Sequence, residues 1–278
     1  MNSISRRQAL GLAGGVALAG AAGALTLPAA ASAAGDWRRL PVITANIGRD
    51  VPRDVRTRAI RRVRHALDRR PLVGWQEIGE GDGDKAERKA IASQFDEGYR
   101  NVHMFDEAFR VPISVPTAYN VDRRKIVKVH GAFPEGPRAD WITPPRYISE
   151  VILSAKNDPE LKFAFLNTHF IAKAFNGEVD SFEDDRLRLW REHFRTLRSR
   201  INRRLEQGYP VIWTGDTNNP NMEKLHDDEE RAFANGLDQI RWIEGSSGVE
   251  IERVTTSEIP LGIDIHEARV AILKLRRT

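Results

Sequence analysis

The chain contains no cysteine, which excludes disulfide bonds, thiolate zinc sites and a cysteine nucleophile. No segment after the first thirty-odd residues is long and apolar enough to span a bilayer, and no stretch repeats along the chain. The charge balance is also modest, because 43 basic residues stand against 39 acidic ones. A balance this close to neutrality does not demand a polyanionic partner. The sequence therefore predicts a fold that relies on packing for stability and on groups other than thiols for any chemistry.

The N-terminal segment has the pattern of an export signal. Ser5-Arg6-Arg7 precedes a weakly apolar stretch from Ala9 to Leu27, and Ala31-Ser32-Ala33 fits the small-residue pattern of a cleavage site. Paired arginines before a mildly apolar core are typical of the twin-arginine route, and a retained membrane anchor is the alternative. We expect residues 1–33 to be the signal and residues 34–278 to be one secreted, monomeric domain without stable membrane insertion.

Over the rest of the chain, short apolar runs alternate with charged segments of helical spacing. The longest helical pattern runs from Ser181 to Leu205, with a start signal at Ser181 and a stop signal at Gly208. Other helices are predicted over residues 54–69, 85–95 and 227–235. Strands are predicted over residues 41–47, 72–78, 113–121, 125–129, 147–155, 162–167, 209–214 and 268–275. Two strand-rich halves with helices between them predict an α/β fold in which two sheets pack face to face with helices outside.

Five short polar clusters lie at or near the ends of apolar runs. They are Asn46 in TANIG, Glu77 in VGWQEIG, Asn167 with His169 in FLNTHF, Asp216 with Asn218 in WTGDTNNP, and His266 in GIDIHEARV. Buried strands that end in carboxylates, amides and imidazoles bring hard oxygen donors and titratable nitrogen to a sheet edge. This combination suits a hard divalent cation and the chemistry of phosphate esters.

In this order and at these spacings, the clusters resemble the endonuclease/exonuclease/phosphatase superfamily of deoxyribonuclease I-like proteins. The resemblance runs from about Leu40 to Leu275. Each motif is weak alone, since Gln-Glu or Gly-Asp-x-Asn occurs by chance in many proteins, but the ordered set is specific. The resemblance implies a four-layer α/β/β/α sandwich of two packed mixed sheets, with a site where the sheets meet at one end.

The resemblance also implies a magnesium site built around Glu77, which matches the family's principal metal ligand. Mg²⁺ prefers hard oxygen ligands and keeps several waters; Mn²⁺ and Ca²⁺ are the alternative ions. Asn46 matches the family's first-strand asparagine, whose amide contacts the metal shell or orients a carboxylate. A strand-end glutamate facing solvent and a turn-capping asparagine are the structural alternatives. Asp264 is the third candidate ligand.

In the family, the aspartate at the position of Asp216 orients or deprotonates the attacking water, and the asparagine at the position of Asn218 binds phosphate oxygens. A spacing of two points both side chains the same way in an extended segment, although an Asx turn before Pro220 would use the same residues locally. His169 matches an Asn-x-His element in which the imidazole contacts the phosphoryl group. Asn167 is the supporting residue of that element and a candidate substrate contact.

The segment around His266 departs from the family pattern. The family has Ser-Asp-His and then a proline, whereas Ile265 directly precedes His266 here and no proline follows. Asp264 takes over the role of the family's carboxylate if the backbone bulges. Otherwise Asp264 acts only locally, and in that case the metal site has one ligand fewer. Asp238, in Gly236–Ile240, is the candidate for the carboxylate that orients the imidazole of His266 and stabilises its protonated form.

Together these features predict an exported, Mg²⁺-dependent phosphoesterase that cleaves phosphodiesters, with an extracellular nuclease as the leading choice. Arg146 is a candidate phosphate contact or an ordinary strand-edge arginine. The arginine-rich face of the first helix is usually a solvated face and only secondarily a contact for a polyanion. The alternatives are a phosphatase, a phospholipid or sphingomyelin phosphodiesterase, and a binding protein that has lost catalysis, which the altered His266 segment would favour.

Overall fold

A computed structural model describes residues 35–48, 51–78, 86–104, 111–134, 142–175, 183–263 and 266–278. The expected export signal and Asp264 lie outside these residues. By its internal contacts, Ala34–Thr278 forms one compact unit. None of the helices in the described ranges has the length and apolar character needed to cross a membrane.

The described part of the chain is built mainly from strands. In chain order the elements are β1 (Arg38–Asn46), α1 (Arg53–His65), β2 (Leu72–Gln76), α2 (Ala86–Gln94), β3 (Tyr99–Val102), β4 (Ile113–Pro116), β5 (Tyr119–His130), β6 (Phe133–Pro134), β7 (Ile142–Thr143), β8 (Arg146–Ala155), β9 (Asp158–His169), α3 (Glu183–Glu206), β10 (Val211–Asp216), β11 (Glu230–Arg231), β12 (Asp238–Ile243), β13 (Val249–Ile263) and β14 (His266–Arg277). The first six-stranded sheet has the spatial order β13-β14-β1-β2-β4-β3, and the second has the order β11-β12-β10-β9-β8-β5. Strands β6 and β7 form a separate small ribbon.

Four layers result because the central strands are apolar on both faces. In β1, Val42 packs into the core between the two sheets, and the next residue, Ile43, packs against α1 and α2. In β9, Phe165 lies between the sheets and Leu166 packs against α3. Successive side chains of a strand point to opposite faces, so a sheet covered on both sides needs a continuous apolar run. The predicted α/β/β/α sandwich of two mixed sheets with outer helices is confirmed.

Buried ion pairs fix the positions of the helices. Arg56 of α1 lies 2.6 Å from Glu87 of α2, and both side chains are buried. Arg200 and Arg204 of α3 both bind Glu150 of β8, which is almost fully buried. Removing one partner from such a pair leaves an uncompensated buried charge. The first pair therefore fixes α1 against α2, and the Glu150 pairs fix α3 on the second sheet.

The strand register brings the polar clusters to one edge. β1 and β2 run parallel, as do β9 and β10, so their carboxyl ends lie together within each sheet. Asp216 pairs with His169 on one side and with Asp238 on the other. Asn46 pairs with Gln76, the residue before Glu77. Sequence positions far apart thus reach the same end of the sandwich.

Two predicted elements are wrong. Residues 227–235 form turns and the short strand β11 instead of a helix. The reason is tertiary: the buried Glu229 carboxylate accepts hydrogen bonds from Trp213 Nε1 (2.7 Å) and from the backbone nitrogen of Leu225 (2.8 Å), which overrides local helix propensity. The single strand predicted over residues 113–121 is divided into β4 and β5, because the chain turns between them.

The long strand β13 was not predicted. Its central residues are mostly exposed, and it lies at the edge of the first sheet, paired only with β14 in the described part. A half-exposed edge strand lacks the apolar run that marks the central strands. Its position was therefore decided by pairing with β14 and not by its own pattern.

Candidate active site

Asp216 is the centre of a polar cluster at the end of the two sheets. His169 Nε2 lies 3.4 Å from Asp216 Oδ2 and 3.7 Å from Glu77 Oε1. Asp216 comes from the second sheet and Glu77 directly follows a strand of the first, so His169 lies where the two sheets meet. The expected convergence of these three side chains is present in the structure.

Hydrogen bonds fix both oxygens of the Asp216 carboxylate. Asn46 Nδ2 donates to Oδ2 over 2.9 Å, and the backbone nitrogen of Asn218 donates to Oδ1 over 2.8 Å. Burial raises the pKa of Asp216 to about 7, and the negative charges of Asp238 and Glu77 act in the same direction, whereas His266 and the Asn218 hydrogen bond oppose them. An acceptor with a pKa near neutrality suits general-base chemistry near pH 7.

Asn46 uses its amide in two directions. While its nitrogen binds Asp216, its Oδ1 accepts a hydrogen bond of 3.0 Å from the backbone nitrogen of Gly48. The residue therefore caps its own turn and orients a carboxylate at the same time. The turn-capping role and the orientation of a carboxylate, which the sequence left as alternatives, therefore occur together.

Two site residues have left-handed backbone conformations. The φ angle is 57° at Glu77 and 49° at Asn218. A positive φ is unfavourable for residues other than glycine and is a feature of functional sites, where strain of about 1–3 kcal/mol is offset by the surrounding structure. At Glu77 the chain leaves the extended path of β2, and the carboxylate reaches the neighbourhood of His169 in the other sheet. A strand-end glutamate that merely faces solvent does not explain this geometry.

Asp238 and His266 form a buried pair across the two sheets. The Nδ1 atom of His266 lies 3.0 Å from Oδ2 of Asp238, which is the pairing expected from the sequence. Burial lowers the pKa of His266, but the Asp238 hydrogen bond and the negative charges of Asp238, Asp216 and Glu77 outweigh burial and raise the pKa to about 9. His266 is therefore an imidazolium at neutral pH, facing a group of carboxylates.

Asn167 holds the sheets together beneath the site. Its amide nitrogen donates to the carbonyl oxygens of Trp75 (2.9 Å) and Pro112 (3.1 Å), and its Oδ1 accepts from Gln76 Nε2 (2.6 Å) and Thr214 Oγ1 (3.0 Å). The side chain is fully buried. This geometry corrects the predicted substrate contact of Asn167, because both amide hydrogens are already used, and it assigns the residue a supporting role.

Gln76 belongs to the same network and was not predicted as a site residue. Besides Asn167 it binds Thr44 Oγ1, whose distance to Gln76 Oε1 is 3.2 Å. The available signal was its position directly before Glu77 in an otherwise apolar strand. A buried polar side chain in such a place needs hydrogen-bond partners, and here they lie in both sheets.

Arg146 is a buried neighbour of the site, and its contact with a substrate phosphate stays a prediction. It is buried, and its Nε donates to the carbonyl oxygen of Phe170 over 3.3 Å. The same carbonyl accepts a hydrogen bond of 3.1 Å from Asn218 Nδ2. Arg146 is therefore linked to Asn218 through one carbonyl group, a link that the sequence pattern did not show.

A hard divalent cation fits the donors of this cluster. Three carboxylates, from Glu77, Asp216 and Asp238, lie around one imidazolium, and the negative charges of Asp238 and Glu77 add to burial in raising the pKa of Asp216. Asp216, Asp238 and His266 also have ligand atoms within 4.8 Å of one another. The Nδ1 atom of His266 binds Asp238, so Nε2 is the ring nitrogen that remains to face a cation. Glu77 is partly exposed and is the better primary ligand.

Comparisons with known proteins give a consistent result at the level of structure. No protein-family model matches the chain, and no curated protein matches it in sequence. An endonuclease/exonuclease/phosphatase family protein from Bacteroides thetaiotaomicron has a TM-score of 0.58 at 14% identity, covering 86% of this chain and 98% of that one. TDP2 from D. rerio, complexed with a single-strand DNA product, has a TM-score of 0.58 at 13% identity, with 84% and 98% covered. The mannosyl-6-phosphatase Bt3783 of B. thetaiotaomicron has a TM-score of 0.54 at 15% identity, with 86% and 98% covered.

Each of these proteins is matched over nearly its whole length, and the low identities make the likeness one of fold. The layer order, the strand register and the position of the polar cluster agree with the resemblance inferred from the sequence. The chain has the deoxyribonuclease I-like fold of the endonuclease/exonuclease/phosphatase superfamily.

Proposed function

We propose that the protein is a metal-dependent phosphodiesterase whose reaction centre is Asp216. The observation that carries the proposal is the environment of this carboxylate. It is buried, held at both oxygens by Asn46 and Asn218, and flanked by His169 and by the Asp238–His266 pair. Such an arrangement fixes an acceptor between groups that can carry positive charge, which an anionic ester requires.

In the proposed reaction, Asp216 accepts a hydrogen bond or a proton from the attacking water. Its pKa of about 7 makes it a suitable acceptor near neutral pH. The two hydrogen bonds to its carboxylate prevent it from turning away from the water. The phosphodiester anion repels a nucleophile, so a fixed orientation of the water is a large part of the rate enhancement.

His266, His169 and Asn218 form the proposed clamp for the phosphate oxygens. His266 is cationic and is oriented by Asp238. Asn218 is held through its hydrogen bond to the Phe170 carbonyl, which keeps its amide at the edge of the cluster. Hydrogen-bond donors that are already in place stabilise the charge of the transition state without reorganisation during the reaction.

Glu77 is the proposed principal ligand of the cation, with Asn46 in its coordination sphere and Mg²⁺ as the preferred ion. A cation bound there supplies Lewis-acid polarisation of the phosphoryl group and neutralises the excess carboxylate charge. Mn²⁺ and Ca²⁺ are the alternatives. Asp264, the third candidate ligand, lies outside the described residues.

A nucleic acid is the proposed substrate. The support is the similarity in fold to TDP2, one structure of which contains a single-strand DNA product. A phosphatase is the second candidate, supported by the similar fold of the mannosyl-6-phosphatase. The rates of hydrolysis of a diester and of a monoester with the same leaving group distinguish a phosphodiesterase from a phosphatase.

The protein is further proposed to be secreted through the twin-arginine route, with residues 1–33 as the signal. Ser5-Arg6-Arg7 and Ala31-Ser32-Ala33 support this proposal. Replacing Arg6 and Arg7 by lysine is expected to keep the protein inside a bacterial host that has the pathway. Export at an unchanged level contradicts the proposed route.

The test of the function is an assay of the purified protein with Mg²⁺, Mn²⁺, Ca²⁺ or EDTA. The substrates are bis(p-nitrophenyl) phosphate, p-nitrophenyl phosphate and a single-stranded oligonucleotide. We expect metal-stimulated cleavage of the diesters, and a loss of about 10²- to 10⁴-fold in kcat for Asp216→Asn. The matched control is Asp228→Asn, at an exposed position away from the cluster. Absence of diester cleavage with every ion, or an Asp216→Asn variant as active as the unaltered protein, contradicts the proposal.

A further inference from the structure

A groove of about 530 Å³ lies beside the polar cluster, on the outer face of the second sheet. One wall is α3, and the other walls come from the chain that follows β9 and β10, the two strands that carry His169 and Asp216. The residues that line it are Phe175, Trp190, Arg191, Phe194, Arg195, Arg198, Asn219, Asn221 and Glu223. We call this feature the α3 groove.

The α3 groove adjoins the segments that carry the site. Asn219, which lines it, directly follows Asn218 of the cluster. Trp190 Nε1 donates a hydrogen bond of 2.8 Å to the carbonyl oxygen of Thr217, and the Trp190 ring packs 5.1 Å from the ring of Phe170. The Phe170 carbonyl binds Asn218. The groove and the site are therefore built on the same segments of the chain.

The groove presents an aromatic face to solvent. Phe175 is 45% exposed, and among the described residues only Val254 is a comparably exposed large apolar side chain. The Phe175 ring packs edge-to-face on Trp190 at 4.7 Å, and Trp190 in turn stacks on Phe194 at 5.5 Å. The exposed ring thus packs on a buried aromatic base. A held, solvent-facing ring is a platform on which an unpaired base can stack.

A stripe of arginines runs along the same face of α3. Arg191, Arg195 and Arg198 are separated by four and three residues, so they project from one side of the helix. A rise of 1.5 Å per residue spreads them over about 10 Å of helix. A second groove of about 550 Å³ is lined by Arg195, Arg198 and Arg203. The acidic residues on these two walls are Glu223 in the first groove and Glu206 in the second.

Arg191 and Arg195 form no ion pair with any carboxylate in the described part of the chain, and both are exposed. Arg198 is partly used, since its guanidinium lies over the Phe194 ring and donates to the Lys224 carbonyl. Three arginines of α1 differ. Arg56 pairs with Glu87, Arg58 pairs with Asp54, and Arg62 binds the Pro260 carbonyl. Arg191 and Arg195 of α3 are therefore available for a ligand, whereas these three arginines of α1 are already engaged.

We propose that the α3 groove binds the part of a single-stranded polynucleotide that flanks the scissile phosphodiester. Arg191 and Arg195 contact backbone phosphates, and Phe175 stacks on one base. The inference rests on the proposed function, because it identifies the substrate as a polynucleotide single strand. A duplex does not fit the aromatic platform, since its bases are already stacked within the helix. A positively charged groove with aromatic rings is the usual arrangement for binding single strands.

The test is oligonucleotide binding in EDTA, which separates binding from turnover. A fluorescein-labelled single strand of about 12 nucleotides, within the span such grooves cover, is titrated with the protein by fluorescence anisotropy at several salt concentrations. For Arg191→Gln/Arg195→Gln we expect about tenfold weaker binding. The slope of log K against log salt should become shallower by about 1.4, since each phosphate contact on a single strand contributes about 0.7.

Two matched controls accompany this variant. Arg58→Gln/Arg61→Gln removes the same charge from exposed positions of α1 and should leave the affinity unchanged. Phe175→Ala should weaken binding about tenfold without changing the salt slope, because stacking is not an ionic contact. Its control is Val254→Ala, at the other exposed apolar side chain, which should have no effect.

Equal weakening by the α1 and α3 variants overturns the proposal, because it indicates a diffuse charge effect. Tighter binding of a duplex than of the single strand, or binding of anionic vesicles in place of the oligonucleotide, also overturns it. Failure of the proposed function is seen separately, as an absence of metal-stimulated hydrolysis of bis(p-nitrophenyl) phosphate by the unaltered protein. A protein that hydrolyses this small diester but binds no oligonucleotide contradicts only the groove.

Discussion

The amide nitrogen of Asn46 donates a hydrogen bond of 2.9 Å to Oδ2 of Asp216, which lies 170 residues further along the chain and in the other sheet. Both side chains are buried. The bond leaves the Asp216 carboxylate a single orientation, because the backbone nitrogen of Asn218 holds its other oxygen. The geometry of the proposed reaction centre is therefore set by the way the two sheets pack.

Replacing Asn46 by alanine should misorient Asp216 while the fold is retained. We expect kcat for a diester to fall about 100-fold, since a shift of about 1 Å in a catalytic group has an effect of this size. The free energy of unfolding should fall by about 1–3 kcal/mol, because a buried acceptor loses its donor. Steady-state kinetics and chemical denaturation measure the two effects. Asn157→Ala, in an exposed turn, is the control, and an Asn46→Ala variant with unchanged kcat contradicts the assigned role.

Asp238→Asn should lower the pKa of His266 from about 9 toward neutrality, because the carboxylate is the group that most strongly favours the imidazolium. A folded-state pKa above the unfolded value stabilises the protein fully below about pH 6.5, and this stabilisation is lost as the pH rises toward 9. The stability of Asp238→Asn should therefore not fall in this way as the pH rises toward 9. NMR titration of His266 in EDTA and denaturation at several pH values are the measurements. An unchanged His266 pKa rules out the pairing in solution.

His193 should make the folded protein sensitive to acid. Its Nε2 lies 2.6 Å from Thr168 Oγ1, and that hydroxyl donates to the Tyr147 carbonyl, so Nε2 carries the hydrogen. Burial, together with the charges of His130 and Arg146, lowers the pKa of His193 well below 6.5. The unfolded chain then takes up the proton first, and stability falls by about 1.4 kcal/mol per pH unit below pH 6.5.

The free energy of unfolding is measured from pH 7.5 to 5 for His193→Gln and for the unaltered protein. The quantity compared is the difference between the two at each pH. This range extends about one unit on each side of the pKa of a free imidazole. Glutamine keeps a donor for Thr168 and does not titrate, so the difference should shrink as the pH falls. His65→Gln, at an exposed position of α1, should behave as the unaltered protein does. A difference that does not vary with pH contradicts the prediction.

Gly74→Ala should destabilise the protein by about 1–3 kcal/mol or more, as overpacking of a core does. A Cβ atom at Gly74 would lie 2.5 Å from Asn167 Oδ1 and closer still to Thr214 Oγ1. These atoms belong to the network that joins the sheets under the site, so activity should fall as well. Gly131→Ala is the control, since its Cβ would meet open space. Thermal unfolding of the two variants checks the prediction, and equal melting temperatures would show that the sheets tolerate a wider spacing here.

Most of the strands and the long helix could be predicted from the sequence, because the periodicity of apolar residues is a local property. The central strands are apolar on both faces, and polar residues follow them directly, so the sequence also located Asp216, His169, Glu77 and Asn46 at strand ends. Their roles remain predictions. What the pattern determined was the type of element and the edge at which the polar groups lie.

Other features depended on contacts between distant segments, and only the tertiary structure decided them. Glu229 prevented a helix that its own segment favours, and β13 formed by pairing with β14 without an apolar run of its own. Asn167 became a link between the sheets, and Arg191 and Arg195 of α3 were left exposed while Arg56 and Arg58 of α1 found partners. Hydrogen-bond and ion-pair partners tens of residues apart are chosen when layers pack. A one-dimensional pattern of side chains therefore predicts the layers but not which polar groups meet between them.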